Sequence, residues 1–301
     1  MKIKETVSRK IFVGWNYFFL GLLALLSLFP FVHLLALSFS SDSYASAGLV
    51  SIWPKGFTLD AYAVLVTKTE FFRAFGVSVL RTVLGTLLSV LVIVLTAYPL
   101  SKPNKVFKGR TLVSWVFVFT MFFSGGLVAQ YVLYQSLGLI DNFLVFILPG
   151  ACDVWFVLML MNFFRSIPKE IEEAAILDGC NQLQILFLIF VPISLPSLVT
   201  IVLFTATGHW NSWFDGFLFM NDPNKYPLQS YLYNMIESSD PAKLASQSGQ
   251  LTPDQIEALK NIGSQNVRSA QIFLGMLPIT LVYPFLQKYF IKGITVGSVK
   301  G

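Results

Sequence analysis

Six apolar stretches, each long enough to cross a bilayer as a helix, dominate the sequence: roughly Ile11–Ala36, Phe72–Tyr98, Leu112–Leu133, Phe143–Phe164, Ile185–Ala206 and Ala270–Ile291. A hydrocarbon core needs about 20 such residues per helix. The apolar residues come in runs rather than in the one-faced stripes of a water-exposed helix. Of 301 residues, 55% are hydrophobic and 12% charged, too few charges to coat a soluble globule of this size. The expectation is an all-α polytopic membrane protein, with one transmembrane domain over residues 1–301.

Basic residues give the orientation, because Lys and Arg flanking a span are retained in the cytoplasm. With the N-terminus inside, the inner segments hold Lys2, Lys4, Arg9 and Lys10, then Lys102, Lys105, Lys108 and Arg110, then Arg165 and Lys169, and last Lys288, Lys292 and Lys300. These are 13 of the 21 basic residues; 7 are spread over two long outer loops, and Arg81 falls within a span. Both termini are therefore expected in the cytoplasm. The net charge of +5 follows from this asymmetry and calls for no nucleic acid. The first run, with Ala45-Ser46-Ala47 after it, resembles a cleavable leader, but its apolar stretch exceeds the roughly 7–15 residues of one and five more spans follow, so an uncleaved helix is expected. Cys152 and Cys180 fall on opposite sides of the membrane in this topology, which argues against a disulfide between them.

Two outer segments are long, residues 40–71 and 209–269. The first carries Trp53-Pro54-Lys55-Gly56 and reads as an ordered cap; in the second, Thr252 before Pro253 predicts a short external helix over Pro253–Ile262. Pro30, Gly85, Pro149-Gly150, Pro192, Pro196 and Pro278 interrupt the spans. They are either packing kinks or hinges, and sequence does not separate the two.

One inner connection is polar and structured. Ser166 is placed to cap a helix starting near Pro168, with Glu170, Glu172 and Glu173 in its early turns, where carboxylates oppose the positive end of the helix dipole. Ile167, Ile171 and Ala175 recur at four-residue spacing with Ala174 beside them, and Gly179 is placed to end the helix in a left-handed turn. A helix lying on the membrane surface would account for the amphipathicity. It would not account for the acids, since Glu170, Glu172, Glu173 and Asp178 outnumber Arg165 and Lys169 and anionic lipid would repel them. Docking into a basic socket on a partner protein fits the charge.

Glu173-Ala174-Ala175, three residues, Gly179, nine residues and Ile189-Phe190-Val191-Pro192 resemble the EAA signature of bacterial ABC-importer permeases, with Val191 where leucine is usual. Trp210-Asn211-Ser212-Trp213-Phe214, Asp222-Pro223-Asn224-Lys225-Tyr226-Pro227-Leu228, Tyr283-Pro284-Phe285-Leu286-Gln287-Lys288-Tyr289-Phe290 and the ending Lys292–Gly301 are similar to the carbohydrate permeases of the MalG type, above all to the subgroup for complex oligosaccharides or polysaccharide fragments. The resemblance implies the type I importer permease fold with six spans, in the bacterial inner membrane. It implies a cytoplasmic coupling helix over residues 166–179, with Glu173 near a basic residue of an ATPase, Ala174 and Ala175 packed into its cleft, Asp178 beside them and Gly179 making the turn. Lys292–Gly301 is a second contact candidate. The implied partners are a second, homologous permease in a heterodimer, two ATPase subunits that hold the ATP and Mg, an extracytoplasmic solute-binding protein, a carbohydrate and membrane lipid.

Sugar sites combine flat aromatic rings with hydrogen-bonding side chains. Candidates in the outer half of the spans are Arg81, Asp153, Trp155, Phe156, Asn211, Trp213 and Asp215. An interfacial aromatic belt explains the tryptophans as well. Arg81 and Asp153 stand apart, because ionisable groups within a span face a cavity or a partner; alternatively Arg81 pairs with a carboxylate, for which the companion permease is one source. The chain lacks G-x-x-x-x-G-K-[ST], His33 and His209 are not at metal-ligand spacing, and no Ser, His and acid set is evident. No catalysis and no cofactor are expected in this chain. The rivals are an ion-coupled secondary sugar transporter, for which inverted halves and buried mid-membrane carboxylates are missing, and a membrane-embedded enzyme.

Overall fold

The structure is a computed structural model that describes residues 6–238 and 265–298. Among the described residues the chain is mostly helical, with one isolated antiparallel bridge from Ser40 to Phe57 and no strand. The expected helix over Pro253–Ile262 lies outside the described residues. The chain divides into two compact units, residues 1–69 with 234–277 and residues 70–233 with 278–301.

In the first unit, α1 (Val7–Ser38) is apolar along its whole length and continuous through Pro30; only Ala36, Leu37 and Ser38 at its end are buried. The expected ordered cap after it consists of α2 (Asp42–Ser46) and α3 (Asp60–Val66). Phe39 stacks on Phe57 and Tyr62, and the Ser38 and Tyr62 hydroxyls lie 2.9 Å apart. Asp42 accepts from the Gln265 backbone N–H, and Asn266 donates to the Ser40 carbonyl, so the cap also holds the start of the last helix.

In the second unit, α4 (Thr69–Ser101) runs unbroken for 33 residues through Pro99. It is followed by α5 (Arg110–Phe122), α6 (Gly126–Ser136), a 3₁₀ turn at Phe143–Phe146, α7 (Val154–Ser166), α8 (Lys169–Leu177), α9 (Gln182–Ile193), α10 (Leu195–Asn211) and α11 (Phe214–Phe219). α12 (Leu228–Ser238) and the 34-residue α13 (Gln265–Ser298), which contains Pro278 and Pro284, each have residues in both units. The core packs Ile93, Ala97 and Leu100 of α4 against Val157, Leu160 and Phe164 of α7 and Ile185, Leu186, Leu198 and Ile201 of α9 and α10. Tyr98, Phe164 and Phe190 meet edge to face at the end of the core nearest α8.

Three of the expected spans are not single rods. α5 and α6 are bent by 115° at Phe123–Gly125, where Gly126 has φ +78, and α9 and α10 are bent by 83° at Ser194. Pro192 and Pro196 flank that second bend. Each lacks the N–H that would continue the ladder, and the turn before Pro192 is wound as a π-helix. The stretch Phe143–Phe164 is the 3₁₀ turn, an irregular segment and α7, whose 13 residues are about 20 Å long, short of a ~30 Å hydrocarbon core. By length and composition two described helices, α1 and α4, are long and apolar enough to cross a membrane alone, and up to four spans result if each bent pair is one. Pro30 and Pro99 lie in unbroken helices.

Gly85 sits in unbroken α4 for a different reason. A Cβ there would come within 2.5–2.9 Å of three His209 ring atoms, so the missing side chain lets α10 approach. Gly85→Ala is expected to cost about 1–3 kcal/mol through overpacking, read as a lower unfolding midpoint in detergent. Gly76→Ala, whose Cβ meets open space, is the control and should not show the loss.

Candidate functional site

The acidic insert folds as α8, nine residues long. Ser166 does not cap it: it ends α7, its hydroxyl donating to the Phe163 carbonyl at 2.7 Å, and Pro168 occupies the N-cap position without a side-chain bond. The helix instead starts from the fixed backbone of Pro168, with Glu170 and Glu172 in its first turn. Gly179 ends it as expected, with φ +82. Its N–H donates to the Ile176 carbonyl and that of Cys180 to the Ala175 carbonyl, both at 3.0 Å, the paired bonds of a Schellman turn. Asn181 and Gln184 then form a reciprocal capping box that starts α9.

Only part of the expected apolar stripe faces inward. Ile167 and Ala175 are buried in this chain's own core. Glu173, Ala174, Asp178 and Gly179 are exposed, and so are Ile176 and Leu177, the latter 88% exposed. Ala175 therefore seats the helix in its own subunit, and the outward apolar knob is Leu177, which the four-residue spacing did not single out.

An ion pair ties α8 to the end of α4. Lys102 Nζ lies 2.5 Å from Glu172 Oε1 and sits over the Tyr98 and Phe190 rings, 4.0 and 4.5 Å from their centroids. The Tyr98 hydroxyl donates to Gln182 at 2.8 Å. Burial pushes the Lys102 ammonium below its ordinary pKa, and the Glu172 hydrogen bond and charge push it back up. A depressed lysine favours the fold only above its unfolded value, so charged Lys102 opposes folding at neutral pH and Glu172 offsets that cost. A half-open cavity of about 530 Å³ beside the pair is lined by Lys102, Arg110, Arg165, Glu172, Glu173 and Phe190 among others.

At the other end of the second unit, Arg81 of α4 is 3% exposed and forms an ion pair with Asp215 of α11. Arg81 also donates to the Ser212 carbonyl at 3.3 Å and lies 4.8 Å from the Phe146 ring centroid. Asp215 further accepts from the Ser212 hydroxyl and the Gly216 N–H. Thus the carboxylate for Arg81 comes from the same chain. A cavity of about 310 Å³ adjoins the pair and brings Arg81, Asp153, Phe156 and Asp215 together. Asp153 is also the N-cap of α7, accepting from Trp155 and Phe156. Trp155 and Asn211 are exposed and Trp213 stacks on Tyr233 at 4.2 Å, all outside this cavity. Residues that sequence reasoning missed complete the wall: Gln130, Tyr134, Thr205 and His209. The signal was present in Gln130 and Tyr134, polar groups four apart on one helix face that hydrogen-bond at 2.6 Å.

A nearby clasp closes this end. Asp141, with φ +59, pairs with Lys225 and accepts from the Asn221 and Asp222 N–H groups. The Lys225 hydrogen bond holds its carboxyl below the usual range. The clasp is intact above the unfolded carboxylate value and is lost as pH falls through the lower folded one.

Residues 74–296 match the model of the binding-protein-dependent transport system inner membrane component family. The chain belongs to this family. It is 37% identical to Protein LplC of Bacillus subtilis over 99% of this chain and 97% of that one. It is 38% identical to the polygalacturonan/rhamnogalacturonan transport system permease protein YtcP of the same organism, over 98% and 100%. Among solved structures, a bacterial ABC transporter involved in the import of the acidic polysaccharide alginate superposes with TM-score 0.83 at 30% identity, covering 96% of this chain and 100% of that one. The fold is that of a type I ABC importer permease, and the family's members are non-catalytic membrane subunits whose ATPase is a separate chain.

Two variant pairs test the buried ion pairs. Glu172→Gln, which strands the Lys102 ammonium, is expected to destabilise by about 3–5 kcal/mol, with Lys102→Met costing clearly less. Likewise Asp215→Leu should be rescued in part by adding Arg81→Met, and additive losses in thermal unfolding would mean the pair is not coupled.

Proposed function

We propose that this chain is one half of the membrane pore of an ATP-driven carbohydrate importer, with oligosaccharides as its substrate class. A second, homologous permease supplies the other half, two cytoplasmic ATPase subunits hold ATP and Mg, and an extracytoplasmic solute-binding protein delivers the sugar. The observation that carries the reading is the seating of α8. Its acidic, Leu177-bearing face is bare, while Glu172, Ala175 and the Gly179 turn fasten it to α4, to the core and to α9. A rigid lever with one free face is what a separate motor needs to grip. Family membership, and relatives named for polysaccharide and sugar transport, support the substrate class.

In this reading both termini are cytoplasmic, six spans cross the membrane, and residues 40–71 and 209–269 face outward to meet the binding protein. Residues 166–179 form the coupling helix. Glu173, Ala174, Leu177 and Asp178 meet the ATPase, Ala175 and Gly179 fix the helix, and Lys292–Gly301 adds a second contact. ATPase closure would push α8 and, through the Lys102–Glu172 tie and the bend at Ser194, re-aim the spans. The cavity at Arg81, Asp153, Asp215, Gln130 and Tyr134 offers charged, amide and hydroxyl groups beside aromatic rings, a lining suited to a sugar. Trp155, Asn211 and Trp213 lie outside it and would meet sugar only elsewhere along the pathway.

The complex, recovered in mild detergent and reconstituted with its binding protein and sugar, provides the test. Glu173→Lys and Leu177→Asp should each lower sugar-stimulated ATP hydrolysis at least about tenfold, equivalent to ~1.4 kcal/mol of docking, while the subunit still inserts. Unchanged stimulation in both variants would overturn the assignment of α8. Sugar uptake by this chain without an ATPase would instead favour ion coupling.

A further inference from the structure

The half-open cavity beside α8 holds more positive charge than the chain itself balances. Arg165 at the end of α7 donates to the Leu100 carbonyl at 2.9 Å and lies 3.1 Å from the Met161 sulfur. Arg110 at the start of α5 donates to the Lys102 carbonyl at 3.2 Å, and its buried Nε has no partner. Anchored to carbonyls two residues apart, both guanidiniums line this one cavity, and burial, with the like charge of Arg110 added, holds the Arg165 guanidinium below its ordinary pKa. Neither is in an ion pair among the described residues, Lys169 adds a third cation to the lining, and Glu172 in the same wall is engaged by Lys102. Glu173 is the other carboxylate of the lining, and it is exposed. The remaining lining includes Val106, Phe164, Ile167 and Ile176.

Two adjacent cations in a partly covered site are stabilised by an anion that bonds both, and guanidinium forks suit phosphate oxygens. A small hydrated anion would leave the apolar wall wet, whereas a phosphate carrying hydrocarbon would cover it. We propose that Arg110 and Arg165 form a phosphate site on this chain, filled by the headgroup of an anionic phospholipid. The lipid source rests on the reading that places this end at the cytoplasmic membrane surface, where basic pockets between spans meet anionic headgroups. Bound there, the lipid would brace the junction from which α8 moves.

The test uses the full-length chain in neutral detergent, with phosphatidylglycerol, phosphatidylcholine or inorganic phosphate added. Retained lipid is read by native mass spectrometry and the unfolding midpoint by a thermal shift. Phosphatidylglycerol should be retained and stabilising, phosphatidylcholine much less so, and Arg110→Gln or Arg165→Gln should each weaken retention about fivefold. Lys105→Gln, outside the cavity, should not. Equal stabilisation by inorganic phosphate, lost in both variants, would keep the phosphate site and make free phosphate its source. Equal retention of both lipids, or unchanged retention in both variants, would overturn the proposal. So would indifference to every anion together with a loss of ATPase stimulation in Arg110→Gln, which would hand these cations to a carboxylate of the ATPase. Binding is measured on this chain alone, so failure of the import reading would appear separately, as absent ATPase stimulation.

Discussion

Hydrocarbon offers a peptide group no hydrogen-bond partner, and every departure from a continuous helix must be covered by protein or water. That constraint accounts for the break between α9 and α10. α1, exposed over most of its length, is an unbroken 32-residue rod. α9 and α10 break at Ser194, itself buried, next to Leu198 and Ile201 in the core. The break sits where neighbouring helices cover it. Proline alone does not decide the matter: Pro30 and Pro99 lie in unbroken helices, while Pro192 and Pro196 flank a bend of 83°.

The apolar runs made the all-α membrane class legible because a run of that length has few other uses, and α1 and α4 match their expected spans with a few residues added at each end. The 115° bend between α5 and α6 was hidden. Its only local mark is Ser124-Gly125-Gly126, and a pair of glycines states permission to turn without stating an angle. Gly179 was legible for the opposite reason, since a glycine just past an amphipathic stretch has one common role. Ser166 fits a cap pattern as a serine before Pro168, yet α7 runs two residues past Phe164 and claims the hydroxyl for its own Phe163 carbonyl.

Long-range pairing was out of reach. Arg81 and Asp215 are 134 residues apart; Arg81 stands out as a charge within a span, Asp215 only as one of several polar candidates. That they answer each other depends on α4 and α11 meeting, which no periodicity reports. Once paired, they change meaning: a charge satisfied within its own subunit no longer requires a companion chain, and the polar groups beside it, from Gln130 to His209, become the lining of a cavity.

The same logic separates the two ends of the second unit. A buried ion pair gains little net stability over an apolar replacement, and its removal by halves is costly; what it confers is a fixed geometry. Lys102–Glu172 fixes α8 against α4 in that way, with the ammonium seated over the Tyr98 and Phe190 rings. A force applied to the exposed face of α8 therefore cannot be absorbed by rotation of a loose surface helix. It reaches α4 through the ion pair, the packed core through Ala175, and α9 through the Gly179 turn and the Asn181 capping box. α9 ends at the Ser194 bend, where Pro192 and Pro196 have taken donors out of the hydrogen-bond ladder, so a displacement that reaches it would change the direction of a span.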